Sequence, residues 1–182
     1  MNPVAAGLVL LALLAGCARE DAGSTGSAPA QPMPDQVISD FGLTETTGGT
    51  KDWSMEALKA YVYDKRNIVE ADLVKITFFD EQGGVRSVLT AHSGRLNRTT
   101  SDMEAWGDVV VTGSGGVELR SQKLSWVSKT RQIVSDDSVT VIRSGDVLSG
   151  WGFRGDPDLG KFEILRDMKA TIRGTADRGV GL

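Results

Sequence analysis

The feature that most constrains this chain is a self-similarity with a period near 30 residues. Displaced by 30, the sequence sets Leu89 on Leu119, Thr100 on Thr130, Met103 on Ile133, Val109 on Val139 and Val111 on Val141. Displaced by 29, it sets Leu119 on Leu148, Leu124 on Phe153, Ile133 on Phe162 and Val139 on Met168. A fainter copy comes first, in which Met55 and Ala57 correspond to Leu89 and Ala91, and Val74 and Ile76 to Val109 and Val111. A unit this short cannot bury its apolar face alone. Stacked units cover one another and share a continuous core.

Within each unit the apolar residues alternate, the period of a half-buried strand. Val74, Ile76 and Phe78 share one parity, as do Val85, Ser87, Leu89 and Ala91, and valines stand two apart at 109/111 and 139/141. Asp80-Glu81-Gln82-Gly83-Gly84, Gly113-Ser114-Gly115-Gly116 and Ser144-Gly145-Asp146 are turn-forming clusters between these runs. The unit therefore reads as strand, turn, strand, turn, and the fold as all-β. One segment opposes this. Met55 to Ala60 are good helix formers, so propensity alone predicts a helix over Trp53 to Tyr63, whereas the repeat predicts a strand. The repeat takes precedence.

A single sheet folded over on itself turns one parity of every strand inward. The inward positions are Val74, Ile76, Phe78, Leu89, Val109, Val111, Leu124, Trp126, Ile133, Val139, Val141, Phe153, Phe162 and Met168, with Lys123 outside. They line either an apolar trough that holds a ligand or a dry packed core. Such a sheet also leaves edge strands, to which another protein can add its own strand.

The domain does not begin at the first residue. Val4 to Ala15 is an uncharged apolar run, too short for the roughly 20 residues of a spanning helix and right for the core of a signal peptide. It ends in Leu14-Ala15-Gly16-Cys17, similar to a bacterial lipobox, where a thiol accepts diacylglycerol after cleavage. The expected organisation is a signal peptide over 1–16, lipidated Cys17 and a tether rich in Ala, Gly, Ser, Pro and Gln to residue 36, then a domain over 37–182 with its repeat core at about 50–173. No Lys or Arg follows Met1, where a signal peptide has positive charge, so a start further upstream is an alternative. A simple secretory signal with an incidental cysteine is another.

Chemistry is sparse. Cys17 is the only cysteine and His92 the only histidine, so there is no internal disulfide and no Cys/His metal cage. Ser93 falls on the face opposite His92, Asp136-Asp137 sits at a strand bend, and Asp156-Pro157-Asp158 reads as a turn without the rest of a calcium loop. No cofactor is expected and no enzyme. The net charge is −4 with Lys and Arg scattered, so nucleic acid is not expected as a partner.

Several short motifs, in order, carry a family resemblance. They are Trp53-Ser54-Met55-Glu56-Ala57, Val74-Lys75-Ile76-Thr77-Phe78-Phe79-Asp80, Leu89-Thr90-Ala91-His92-Ser93-Gly94 and Gly107-Asp108-Val109-Val110-Val111, followed by Leu119 and Leu124. Together they resemble the LptC family of lipopolysaccharide export. The resemblance implies an open β-jellyroll whose trough holds the acyl chains of lipopolysaccharide. It also implies a non-enzymatic bridge from the subunits of an inner-membrane ABC exporter to a periplasmic jellyroll relay, paired edge strand to edge strand. The best-known members carry a transmembrane helix where this chain has a lipobox. The resemblance favours the inner membrane with the domain in the periplasm, while Ala18, in place of Asp, is compatible with the outer membrane. The alternative is a structural envelope lipoprotein that only docks other proteins.

Overall fold

A computed structural model describes residues 33–173. The expected signal peptide, Cys17 and most of the expected tether lie outside the described residues. Nine strands follow in chain order: β1 (Gln36–Thr47), β2 (Thr50–Tyr63), β3 (Ile68–Phe79), β4 (Val85–Asn97), β5 (Met103–Gly113), β6 (Glu118–Val127), β7 (Gln132–Arg143), β8 (Asp146–Gly155) and β9 (Phe162–Thr171). They form one antiparallel sheet in sequential order, with only a single 3₁₀ turn at Asp64–Arg66 added. The segment on which propensity and repeat disagree is strand β2. Its Met55 and Ala57 are buried opposite Ile76 and Val74, so packing overrides helix propensity.

The repeat units are hairpins. β2–β3, β4–β5, β6–β7 and β8–β9 succeed one another, and β1 adds a ninth strand ahead of the first. Leu89 pairs with Val111 across the sheet and Leu119 with both Val111 and Val141, so the repeat-equivalent positions form one apolar row. Such cross-strand neighbours are the unit of sheet stability.

What shapes the sheet is an irregularity near the middle of its strands. Buried positions stand two apart, then skip: Ala57 to Ala60 in β2, Ala71 to Val74 in β3, Ala91 to Gly94 in β4, Ser121 to Leu124 in β6. Neighbouring pairs shift register at the same level, between Thr90 and Ser93, Trp106 and Val109, Ser121 and Ser125, and Ser135 and Ser138. Asp136-Asp137 falls in the last of these, as the bend expected there requires. Asp40, Leu73, Gly107, Asp108, Gly152 and Asp167 supply left-handed residues along this line, with φ between 49° and 80°. A bulge bends a strand and reverses which side chains point inward. A row of bulges therefore works as a crease.

Folding along the crease brings together two rims that are distant in the sheet. The β1–β2, β3–β4, β5–β6 and β7–β8 turns make one rim, and the remaining turns the other. Ser101 Oγ donates to Glu45 Oε2 at 2.7 Å, both terminal guanidinium nitrogens of Arg131 reach Asp52 Oδ1 at 3.1 Å, and Arg86 Nη2 reaches Asp158 Oδ2 at 3.4 Å. These contacts form a polar seam over the apolar face.

A closed apolar interior as candidate lipid site

Twelve of the fourteen positions expected to face inward are buried: Val74, Ile76, Phe78, Leu89, Val109, Val111, Leu124, Trp126, Ile133, Val139, Val141 and Phe153. They come from six consecutive strands, β3 to β8, and belong to one hydrophobic cluster. Lys123 is exposed beside Glu104, at 3.3 Å. Phe162 is only half-buried. It stacks on Phe153, with centroids 5.6 Å apart, and the Arg143 guanidinium lies over its ring.

Met168 corrects the expectation. Its side chain is 63% exposed, although the offset of 29 aligns it with the buried Val139. The position is equivalent but the neighbourhood is not. Among the described residues β9 pairs only with β8, and no further unit covers Met168.

The interior also contains residues the sequence reading did not assign to it. Met55, Met103 and Leu119 stand at repeat positions and are fully buried, so the offset that placed their partners could have placed them. Trp53 shares the parity of Met55 and Ala57. Leu159 has no such signal. It is a loop residue in left-handed conformation at φ 57°, fully buried between the rims, and its carbonyl accepts from Arg143.

Across the interior the Phe78 and Trp126 rings meet, 4.9 Å apart, joining β3 to β6. The middle of the interior is dry: Val109, Val111, Leu119 and Val141 expose no surface. Of the buried serines, Ser121 Oγ donates to the Ser138 carbonyl at 2.9 Å and Ser135 Oγ to that of Lys123 at 2.8 Å. At the seam, Thr47, Thr50, Asp52, Phe79, Asp80, Glu81, Arg86 and Arg131 line a cleft of about 410 Å³.

The turn Asp156-Pro157-Asp158 does more than reverse the chain. Asp158 accepts from the Gly160 N–H at 3.0 Å and faces Arg86. The Gly160 hydrogen bond foremost, then the Arg86 charge, hold its carboxyl below the usual range against the opposing effect of burial. His92 Nε2 lies 3.8 Å from Asp108 Oδ2, with both side chains exposed, and no group of three potential metal ligands occurs among the described residues.

Comparison with known proteins adds two findings. The family model described as lipopolysaccharide-assembly, LptC-related, matches residues 4–173. Among solved structures, the chain is similar to LptH of Pseudomonas aeruginosa, described as the LptA-homologous periplasmic component of the conserved lipopolysaccharide transport device. The TM-score is 0.55 at 14% identity, covering 67% of this chain and 95% of that one, a likeness of fold. No curated protein sequence matches.

Proposed function

The chain belongs to the LptC-related lipopolysaccharide-assembly family, and from that premise we propose that it binds lipopolysaccharide and hands it on without covalent chemistry. In this reading it bridges the inner-membrane ABC exporter to a periplasmic jellyroll relay. The observation that carries it is the crease-and-seam architecture. One apolar interior runs through β3 to β8, and each hydrogen bond described between its rims has a side chain on at least one side. Two of them are ion pairs and one a hydroxyl–carboxylate hydrogen bond, these three at least partly solvated and worth about 1 kcal/mol each. An acyl chain entering there replaces apolar contacts with apolar contacts and breaks no strand ladder. The sugar and phosphate groups stay outside in water.

The edges supply the second half of the reading. β1 and β9 each have one unpaired side among the described residues. Val37 and Ile38 on β1, and Leu165 and Met168 on β9, are exposed apolar residues, those of β9 standing among the exposed charges of Glu163, Arg166, Asp167 and Lys169. We assign these edges to strand addition by the exporter's periplasmic part and by the relay. Energy comes from the exporter's ATP hydrolysis.

The closed interior favours one rival, a structural lipoprotein that docks envelope proteins and never holds lipid. Photocrosslinkers at Val109 and Val139 distinguish the two. In cells exporting lipopolysaccharide, both positions should capture it, in amounts that collapse when the exporter's ATPase is inactivated. Capture of proteins alone would establish the rival.

The anchor is part of the proposal. Lipid on Cys17 would hold the domain in the periplasm at a membrane, the inner one on the family reading. Cys17→Ser should leave the precursor unprocessed and abolish labelling by a palmitate analogue that marks the wild type. A wild-type protein that takes no label, yet is cleaved, would show an ordinary secretory signal instead.

A further inference from the structure

Among the described residues two buried side-chain atoms have no hydrogen-bond partner, Ser87 Oγ and Trp126 Nε1. They belong to one place. Ser87 is the cross-strand partner of Phe78, and the Phe78 ring meets that of Trp126 across the interior. Both residues are therefore neighbours of Phe78, Ser87 beside it in the sheet and Trp126 against its ring. Ser87 is 1% exposed and Trp126 7%, so bulk water reaches neither well. Natural interiors leave few polar groups unpaired, and two beside one residue mark a position that calls for a polar partner.

Their position is informative. Ser87 is the third residue of β4 and Trp126 the penultimate residue of β6, so both lie just inside the seam. Phe78 also pairs with Trp53, next in sequence to Asp52, which Arg131 clasps. The cleft lined by Asp52, Arg86 and Arg131 lies at the same stretch of seam.

The donor and acceptor inventory limits what fits. An indole N–H only donates, while a serine hydroxyl donates or accepts. The sheet neighbours are Phe78 and Gly113 for Ser87, and Met103 and Ile133 for Trp126, none of them charged. An ion would be stranded there. A neutral oxygen suits either group: a hydroxyl accepts from the indole or bonds the serine in either direction, and a carbonyl accepts from either.

We propose that Ser87 and Trp126 form a polar subsite just inside the seam that receives one hydroxyl or carbonyl oxygen near the polar end of a bound acyl chain. The inference rests on the lipid-binding reading and adds a chemical selectivity to it. Calorimetric titration of the full chain tests both, using purified lipopolysaccharide and three fatty acids of equal length: unsubstituted, 3-hydroxy and 4-oxo. The wild type should bind at least one oxygenated acid about fivefold more tightly than the plain one, the worth of one net hydrogen bond. Ser87→Ala, nearly isosteric, should erase most of that preference and leave the plain acid within about twofold, since its chain makes no such bond. Trp126→Phe should likewise erase most of the preference, read as the ratio of oxygenated to plain acid because Trp126 also lines the interior, with thermal melts confirming that both variants fold. The hydroxy and oxo arms identify which oxygen is read. Equal affinity for all three acids, or a preference that survives both substitutions, overturns the subsite while binding of lipopolysaccharide upholds the transport reading. If neither lipopolysaccharide nor any acid binds, both fall.

Discussion

Val109→Asp and Val139→Asp should each unfold the domain or bring it to the edge of unfolding. The two valines occupy equivalent repeat positions, expose 0% and 2% of their surface, and pair with Ser121 on the inward face of β6. A carboxylate there has no charged partner and little access to water. Its burial costs several kcal/mol, against a total stability of roughly 5–15 kcal/mol for an ordinary domain. The dry interior sharpens the expectation, because an open trough would admit water and spare the fold. Thermal melts followed by circular dichroism check it. Lys123→Asp is the comparison. Lys123 is exposed, and losing its contact with Glu104 for a like-charge pair should cost no more than about 1 kcal/mol. Valine variants that melt with the wild type would mean that the interior is hydrated and that these side chains do not face it.

Gly113→Val should pry the seam apart. A Cβ built at Gly113 would lie 2.5 Å from the Asp158 carbonyl oxygen, which is backbone on the opposite rim and cannot swing away like a side-chain end. Either the β5–β6 turn or the β8–β9 loop must retreat, and Leu159 next to Asp158 loses its cover. Overpacking of this kind costs about 1–3 kcal/mol before the exposure of Leu159 is added. For a domain of this size the melting temperature should fall by roughly 5–10 °C. Gly115→Val, in the same turn, meets nothing within 4 Å and should leave the melt almost unchanged. Equal melts for the two variants would show that the rims do not touch at Gly113.

Gly113 also marks where reading the sequence stops. As a residue in a Gly-rich turn it is ordinary, and nothing local reveals that 45 positions later Asp158 comes to lie against it. Arg131 with Asp52, Ser101 with Glu45 and Arg86 with Asp158 are of the same kind, joined across 79, 56 and 72 residues of chain. Solvated charges and turn residues have no periodicity, so their partners are set by where the crease brings the rims. The same is true of the orphan atoms of Ser87 and Trp126. Ser87 looks like a polar interruption in an apolar alternation until its place beside Phe78 is known.

What the sequence determined by itself is the repeating hairpin and its inward row. Burial in a stack imposes the same requirement on each unit, so Val74, Val109 and Val139 carry one signal three times over and outvote the helix propensity of Met55 to Ala60. What only the tertiary structure decided is where that row ends and what closes it. Met168 satisfies the repeat and is nevertheless exposed, because burial depends on a neighbour beyond β9 rather than on the residue. Bulges in successive strands line up into a crease, and that alignment depends on register between strands rather than on any one strand's sequence. The crease is what turns an open sheet into a closed interior, and it sets which polar side chains meet across the seam.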